Sequence, residues 1–267
     1  MPVRLLVAHT PAERDAARTV EGQVFLQAFG NTPEVMDQEY GPFDARSRFI
    51  VVLDEETGTA LGAARLILPD PSDGPVKTLV DVAGEPWHVD VADSLRTAGL
   101  TSGPVWDVAS LAVDRRFRSG AAGAELTLAL CHGIFEHPRV CGAEGLVTVL
   151  DDKVFQLLRV MGVPWTALPG ATSQPYLGSP ASTPCVMRVD GVAPSIRARR
   201  PDVAPAVVDG VFSSIILDPA DLAPGRGAPL PEVDPLVPPG QPLPPRRDTS
   251  GWRPPTQRRS VATGPTA

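Results

Sequence analysis

The sequence predicts a mixed α/β fold, with strands and helices alternating around one sheet. Three observations carry that prediction. Short runs of Val, Ile and Leu alternate with segments whose apolar residues recur at helical spacing. Two of those runs flank a polar turn. A third, Val105 to Val113, leads through small residues straight into a helical segment.

Val3 to Ala8 is a short apolar run stopped by His9, Thr10 and Pro11, and reads as a strand. Glu13 to Phe29 places Ala17, Val20, Val24, Phe25 and Ala28 on one helical face. Phe49 to Leu53 and Ala60 to Leu68 are strands joined by Asp54-Glu55-Glu56-Thr57-Gly58, a hairpin turn. Pro69 to Pro104 reads as a long loop with apolar residues of its own, Leu79, Val80, Trp87 and Val89, and loops of that kind are usually functional. Then come strand Val105 to Val113, helix Ala121 to Phe135, strand Gly145 to Leu150, helix Lys153 to Met161, a short strand near Trp165 to Leu168 and strand Pro184 to Val189. Residues 1–190 are expected to form one domain, 191–218 a helical extension with a helix through Ile196 to Phe212, and 219–267 a disordered proline-rich tail. Within the tail, Pro242, Pro245 and Arg247 form a P-x-x-P-x-R pattern of the kind read by polyproline-binding modules.

At 267 residues with 43% hydrophobic content, the chain is long enough to bury a sizeable core. A net charge of −7 argues against a broad nucleic-acid footprint. Cys131, Cys141 and Cys185 are widely spaced, with no C-x-x-C pair and no histidine pattern for zinc, so they read as reduced thiols and no metal is expected. The amino terminus carries too short an apolar run for a signal peptide, and no later stretch reaches membrane-spanning length, so a soluble, cytoplasmic protein is expected. Oligomeric state is not legible.

The run VWDVASLAVDRRFRSGAAGAEL, residues 105–126, passes from strand through arginines to tiny residues. A strand running into a small-residue loop that opens a helix suits a phosphate: unpaired N–H groups and the macrodipole favour the anion, and small side chains let oxygens approach the backbone. Arg118, Ser119, Gly120, Ala121, Ala122, Gly123 and Ala124 fit that need; alternatively, Gly120 and Gly123 only turn the chain.

Arg118 to Gly123 resembles the R/Q-x-x-G-x-G/A signature of the GNAT acyltransferases, with Leu111, Ala112 and Val113 in the place of the family's preceding strand. Val154-Phe155 and Leu157 to Val163 resemble the family's later helix, with Leu158 where many members carry a proton-donating tyrosine. The spacing of Val24-Phe25, Phe43-Asp44, Arg65 to Pro69, the insertion and Trp106 to Ser110 further resembles the acyl-homoserine-lactone synthases and N-acyl amino acid synthases. There, Asp107 replaces glutamate, while Leu111 and Glu21 replace arginines.

The resemblance implies the GNAT form of the α/β (α+β) class, with a central mixed, mostly antiparallel sheet flanked by helices. It also implies acyl-coenzyme A as co-substrate, with the loop amides of 111–113 and 118–124 holding its pyrophosphate, or an acyl-carrier protein as donor, and a small-molecule amine such as an amino acid derivative as acceptor. Within that chemistry Asp107 is the first candidate for the base, or else a strand carboxylate paired with Arg65 or Arg116. Ser110 orients acceptor or thioester, or makes an ordinary strand hydrogen bond. Arg65 and Asp44 bind acceptor charge or bridge each other, and Trp106 lies with them at the substrate. His132 and His137 read as surface residues, and His88 as a lesser acid/base candidate in the insertion. The competing function is a catalytically silent, acyl-coenzyme-A-sensing or interaction module.

Overall fold

The computed structural model of the chain describes residues 2–70 and 72–225. β1 (Val3–Val7) leads into α1 (Pro11–Phe29), whose start is fixed by a capping box: Thr10 Oγ1 accepts from the Glu13 N–H at 3.2 Å and Glu13 accepts from the Thr10 N–H at 3.0 Å. α2 (Pro33–Tyr40) follows, opened by Thr32 and Pro33, and then the hairpin of β2 (Ser47–Asp54) and β3 (Thr59–Ile67). α3 (Lys77–Ala83) and α4 (Val91–Thr97) precede β4 (Val105–Val113), α5 (Gly120–Val140), β5 (Gly145–Asp151) and α6 (Asp152–Val160). β6 (Thr166–Ala167), β7 (Gln174–Tyr176), β8 (Ser179–Arg188), α7 (Val192–Arg199), α8 (Ala204–Val207) and β9 (Ile215–Ile216) complete the order.

Among the described residues nine strands join one sheet in the order β6-β8-β5-β4-β3-β2-β1-β9, with β7 also on β8. Only β4–β5 and β1–β9 are parallel, so the sheet is mixed and mostly antiparallel. α1 lays Ala17, Val20 and Val24 on one face, against Phe49, Val51, Ala63 and Ala112. α5 lays Leu126, Leu130 and Ile134 on the opposite face, against Leu5, Ile50, Ala64 and Leu66. Each Val, Leu, Ile or Phe among these side chains contributes about 1.5–3 kcal/mol on burial.

The stretch from Pro69 to Pro104 is not a loop. α3 and α4 fold over the α1 side of the sheet and build a second core from Leu79, Val82, Trp87, Val89 and Leu100 against Ile67, Val147 and Val186. Lys77 is buried here between the rings of Tyr40 and Tyr176, each 5.4 Å away, and pairs with Glu39 at 2.8 Å and with Asp81. Burial works to lower its pKa, but Asp81 and Glu39 outweigh burial and hold it above the usual value.

The expected helix through Ile196 to Phe212 is broken into α7 and α8, with Pro201 and Pro205 at the break, since proline cannot continue the backbone hydrogen bonds of a preceding helix. Ile196, Val207 and Leu222 share the α5 core, so chain order persists past 218: Pro219–Leu222 forms a 3₁₀ turn rather than the start of a disordered tail. The rest of the expected tail, with Pro242, Pro245 and Arg247, lies outside the described residues. His132 and His137 are buried, not superficial. Their Nδ1 atoms meet the carbonyls of Val207 (3.1 Å) and Leu222 (2.9 Å), tying the returning chain to α5.

Candidate functional site

β4 and β5 pair over three positions only, Val105 with Gly145, Trp106 with Leu146 and Asp107 with Val147. Both strands then run on, to Val113 and Asp151, held by β3 and β8 on their outer edges. The sheet therefore splits between them. At the fork, Thr148 Oγ1 donates to the Val108 carbonyl at 2.7 Å. A cavity of about 140 Å³ occupies the split, bounded by Val108 to Leu111 on one strand and Thr148 to Asp151 on the other. Its lining comes from both faces of the sheet: Phe25, Phe29 and Tyr40 from one, Cys131, Leu158 and Trp165 from the other. That wall is mostly apolar, which suits an acyl chain.

The register of β4 decides which polar side chains reach this place. β3 pairs Arg65 with Ser110 but Leu66 with Val108, so β4 bulges at Ala109. Strand side chains alternate faces, and the extra residue resets the alternation, so Asp107 and Ser110 both project to the side covered by α1 and α3. They meet different partners there. Asp107 is fully buried beneath α3, where the Thr78 N–H and hydroxyl donate to its two oxygens at 2.6 and 2.9 Å. It pairs with neither Arg65 nor Arg116 and lines neither the cavity nor the cleft beside it. The expectation of Asp107 as the base runs against its position: the carboxyl is enclosed beneath α3 and borders neither space. Trp106 is corrected likewise, since it faces α5 and packs edge-on against His137, 5.6 Å between ring centres.

Burial pushes the Asp107 carboxyl up to about 7, against the opposing pull of the Thr78 donors and of Lys77. A carboxyl whose folded pKa lies above its unfolded value of 3.8 binds more protons in the folded state between those limits. The stability this group contributes is therefore fully present below pH 3.8 and is lost as pH rises through about 7. Asp107→Asn is expected to remove that loss, seen as a smaller fall in the urea midpoint from pH 4 to pH 8 than in the wild type. Turnover should stay within about threefold, whereas a general base contributes about 10²–10⁴. A loss of that size would restore Asp107 to catalysis.

Ser110 lies at the cavity wall, and its hydroxyl donates to Glu21 Oε1. Arg65 binds the same carboxylate twice, Nε to Oε1 at 3.0 Å and Nη2 to Oε2 at 2.6 Å. Burial works to lower the Arg65 pKa, but Glu21 overrides it and holds the guanidinium above the usual value. On the far side of these groups opens a polar cleft of about 770 Å³, lined by Arg18, Glu21, Asp44 and Arg65 among others. Arg65 Nη1 stands 3.5 Å from Asp44 Oδ1, so the two expected acceptor-binding residues bridge each other and face the cleft together. Tyr40 borders both spaces and donates its hydroxyl to the Ala109 carbonyl at 3.2 Å; burial raises its phenol well above the usual pKa.

At the end of β4, Arg118 Nε donates to the Val113 carbonyl at 2.7 Å and α5 begins at Gly120, with Ser119 making no side-chain cap. Gly120 takes φ +76°, the left-handed conformation that glycine tolerates, and Ala121 is spared it. Ala121, Ala122 and Ala124 are exposed, leaving the uncapped first turn open to an anion. Gly123 differs: it is buried, and a Cβ there would lie 2.1 Å from the Phe117 carbonyl oxygen. Its glycine is demanded by backbone packing. Leu111 lines the cavity, Ala112 is buried under α1, and His88 is exposed away from both spaces. No cluster of His, Cys, Asp or Glu among the described residues has the arrangement to hold a metal ion, and no described helix is long and apolar enough to cross a membrane.

Of the expected site residues, Ser110 lies at the cavity and Arg65 and Asp44 at the cleft; Glu21, Tyr40, Thr148 and Trp165, which also line these spaces, were not among them. The one available signal for Glu21 was charge: an acid replacing an arginine needs a basic partner, and Arg65 was at hand.

No protein-family model matches the chain, and no curated protein sequence does. Among solved structures it is similar to FeeM, an N-acyl amino acid synthase from uncultured soil microbes, with a TM-score of 0.53 at 15% identity over 74% of this chain and 93% of that one. It is also similar to BjaI, a CoA-dependent acyl-homoserine lactone synthase solved with SAM and isopentyl-CoA, with a TM-score of 0.46 at 13% identity over 81% and 93% of the two chains. The likeness to FeeM is one of fold: the chain has the mixed, mostly antiparallel sheet flanked by helices that its motifs imply.

Proposed function

We propose that the chain is an N-acyltransferase that moves an acyl group from acyl-coenzyme A, or from an acyl-carrier protein, to the amine of a small molecule such as an amino acid derivative. The observation that carries this reading is the pair of spaces meeting at one wall. An apolar cavity in the split sheet suits the acyl chain, a charged cleft suits a polar amine, and Ser110 with Glu21 stands between them. Reaction of an amine with a thioester needs the nucleophile and the carbonyl held within about 3–3.5 Å, and two adjoining spaces that share Tyr40 suit that need. The uncapped start of α5, with Arg118 beside it, is suited to the pyrophosphate. Beyond Asp107 the pairing of β4 with β5 ends, and backbone N–H groups of β4 past that point would be the donors to an oxyanion. An apolar cavity of about 150 Å³ holds one benzene ring, so the acyl chain it admits is on the order of six carbons.

The test is thiol release. Purified full-length chain is incubated with acyl-coenzyme A donors of increasing length, or with a loaded carrier protein, against a panel of amino acids and their amides. Trp165 in the cavity wall reports donor binding by its fluorescence. Absence of binding and of thiol release with both donor types overturns the reading. Leu158, apolar and in the cavity wall where a proton donor would stand, favours a second reading: a module that binds acyl-coenzyme A without turnover. Binding without thiol release against every amine would select it.

A further inference from the structure

Burying an arginine–carboxylate pair is a poor route to stability, because well-packed apolar residues of similar volume do as well or better. Glu21 and Arg65 are nonetheless 3% and 5% exposed. What their contacts supply is orientation. Arg65 lies over the rings of Phe49 and Tyr40, at 4.6 and 4.9 Å, and holds both oxygens of Glu21. Glu21 in turn takes the only hydrogen of the Ser110 hydroxyl, so the lone pairs of Ser110 Oγ remain to accept a proton. Four other polar groups at the cavity are engaged elsewhere. Thr148 donates to the Val108 carbonyl, Tyr40 to that of Ala109, Tyr176 to Asp81, and Asp151 caps α6 while accepting from Ser179.

We propose that Ser110 and Glu21 form a relay carrying the acceptor's amine proton to the sulfur of the departing thiol, with Arg65 as the positioning residue. This rests on the acyltransferase reading. The free amine attacks the thioester carbon, the C–N bond forms and the nitrogen becomes cationic. Its proton passes to Ser110 Oγ while the Ser110 proton passes to Glu21 Oε1. The C–S bond then breaks with its electron pair on sulfur, and the proton returns from Glu21 through Ser110 to the thiolate. Amide and thiol leave, Glu21 is again a carboxylate, and no proton is gained or lost. The relay supplies the proton that Leu158 does not.

The test compares two nucleophiles on the full-length chain with saturating hexanoyl-coenzyme A. One is an amino acid amide from the thiol-release panel, whose amine is an alkylamine. The other is hydroxylamine, uncharged at neutral pH, whose adduct loses its proton readily to water. Ser110→Ala is expected to lower kcat for the alkylamine by about 10²-fold or more, with KM for the thioester unchanged and a loss at least tenfold smaller with hydroxylamine. Ser110→Thr, which keeps the hydroxyl, should recover most of the rate. Glu21→Gln should match Ser110→Ala, and the double variant should lose no more than either alone, as groups acting as one unit do. Should Glu21→Gln fail to fold, the Ser110 variants decide. Equal losses with both nucleophiles, an unaffected Ser110→Ala, or no recovery in Ser110→Thr overturns the relay while leaving the acyltransferase intact. A wild type that releases no thiol to either nucleophile overturns both.

Discussion

Ala122→Asp is expected to weaken coenzyme A binding at least tenfold while the chain stays folded. Ala122 is exposed in the first turn of α5, where Ser119 provides no side-chain cap, so the turn's amides are open to an anion. An aspartate there adds a negative charge where the phosphate oxygens must come, and tenfold corresponds to about 1.4 kcal/mol. The same substitution suits the helix, since acidic residues in a first turn complement the macrodipole by about 0.3–1 kcal/mol. Circular dichroism should therefore be unchanged, and titration of coenzyme A by calorimetry should show the loss. Gly123, one position further on, is the wrong place for this test. Its Cβ would meet the Phe117 carbonyl at 2.1 Å, so even Gly123→Ala must displace the 115–118 turn and would confuse lost folding with lost binding. Unaltered affinity in Ala122→Asp would mean that the small residues of this loop serve only to turn the chain.

The two glycines of the loop show how far the sequence could be read. Their presence was legible and their separate reasons were not, because a carbonyl 2.1 Å from an absent Cβ belongs to three-dimensional packing. The main strands and the long helices α1 and α5 follow from periodicity, since each buries one face against the sheet over many residues. α3 and α4 are seven residues each, too short for a period to declare itself, and Gly74, Gly84 and Pro86 around them read as loop. His132 and His137 looked superficial because their partners, Val207 and Leu222, lie 75 and 85 residues away. Asp107 was misplaced for a smaller reason. One bulge at Ala109 resets the alternation of β4, and no residue type announces it. The bulge brings Ser110 to Glu21 and sends Asp107 to Thr78, so a single inserted residue separates the candidate relay from the buried acid.

Filling the cavity from α5 should convert the chain's acyl preference. Cys131 lines the split from the α5 face; burial pushes its thiol up to about 12, so it acts there as a small apolar side chain and not as a nucleophile. Cys131→Leu places a larger apolar side chain into open space of about 140 Å³, where extra methylenes meet less of the 1–3 kcal/mol overpacking that a filled core imposes. The fold should survive with its urea midpoint unchanged or raised. The acyl chain loses the room that leucine takes. Each methylene denied burial forfeits about 0.8 kcal/mol, so excluding three or four carbons costs roughly 2–3 kcal/mol, or about 10²-fold in kcat/KM for a hexanoyl donor. An acetyl donor never reaches that depth and should keep its rate. Leu158→Ala, which enlarges the same wall, should shift preference towards longer chains, although removing a buried leucine costs about 2–5 kcal/mol of stability. Equal losses for acetyl and hexanoyl donors in Cys131→Leu would show that the acyl chain does not enter between β4 and β5.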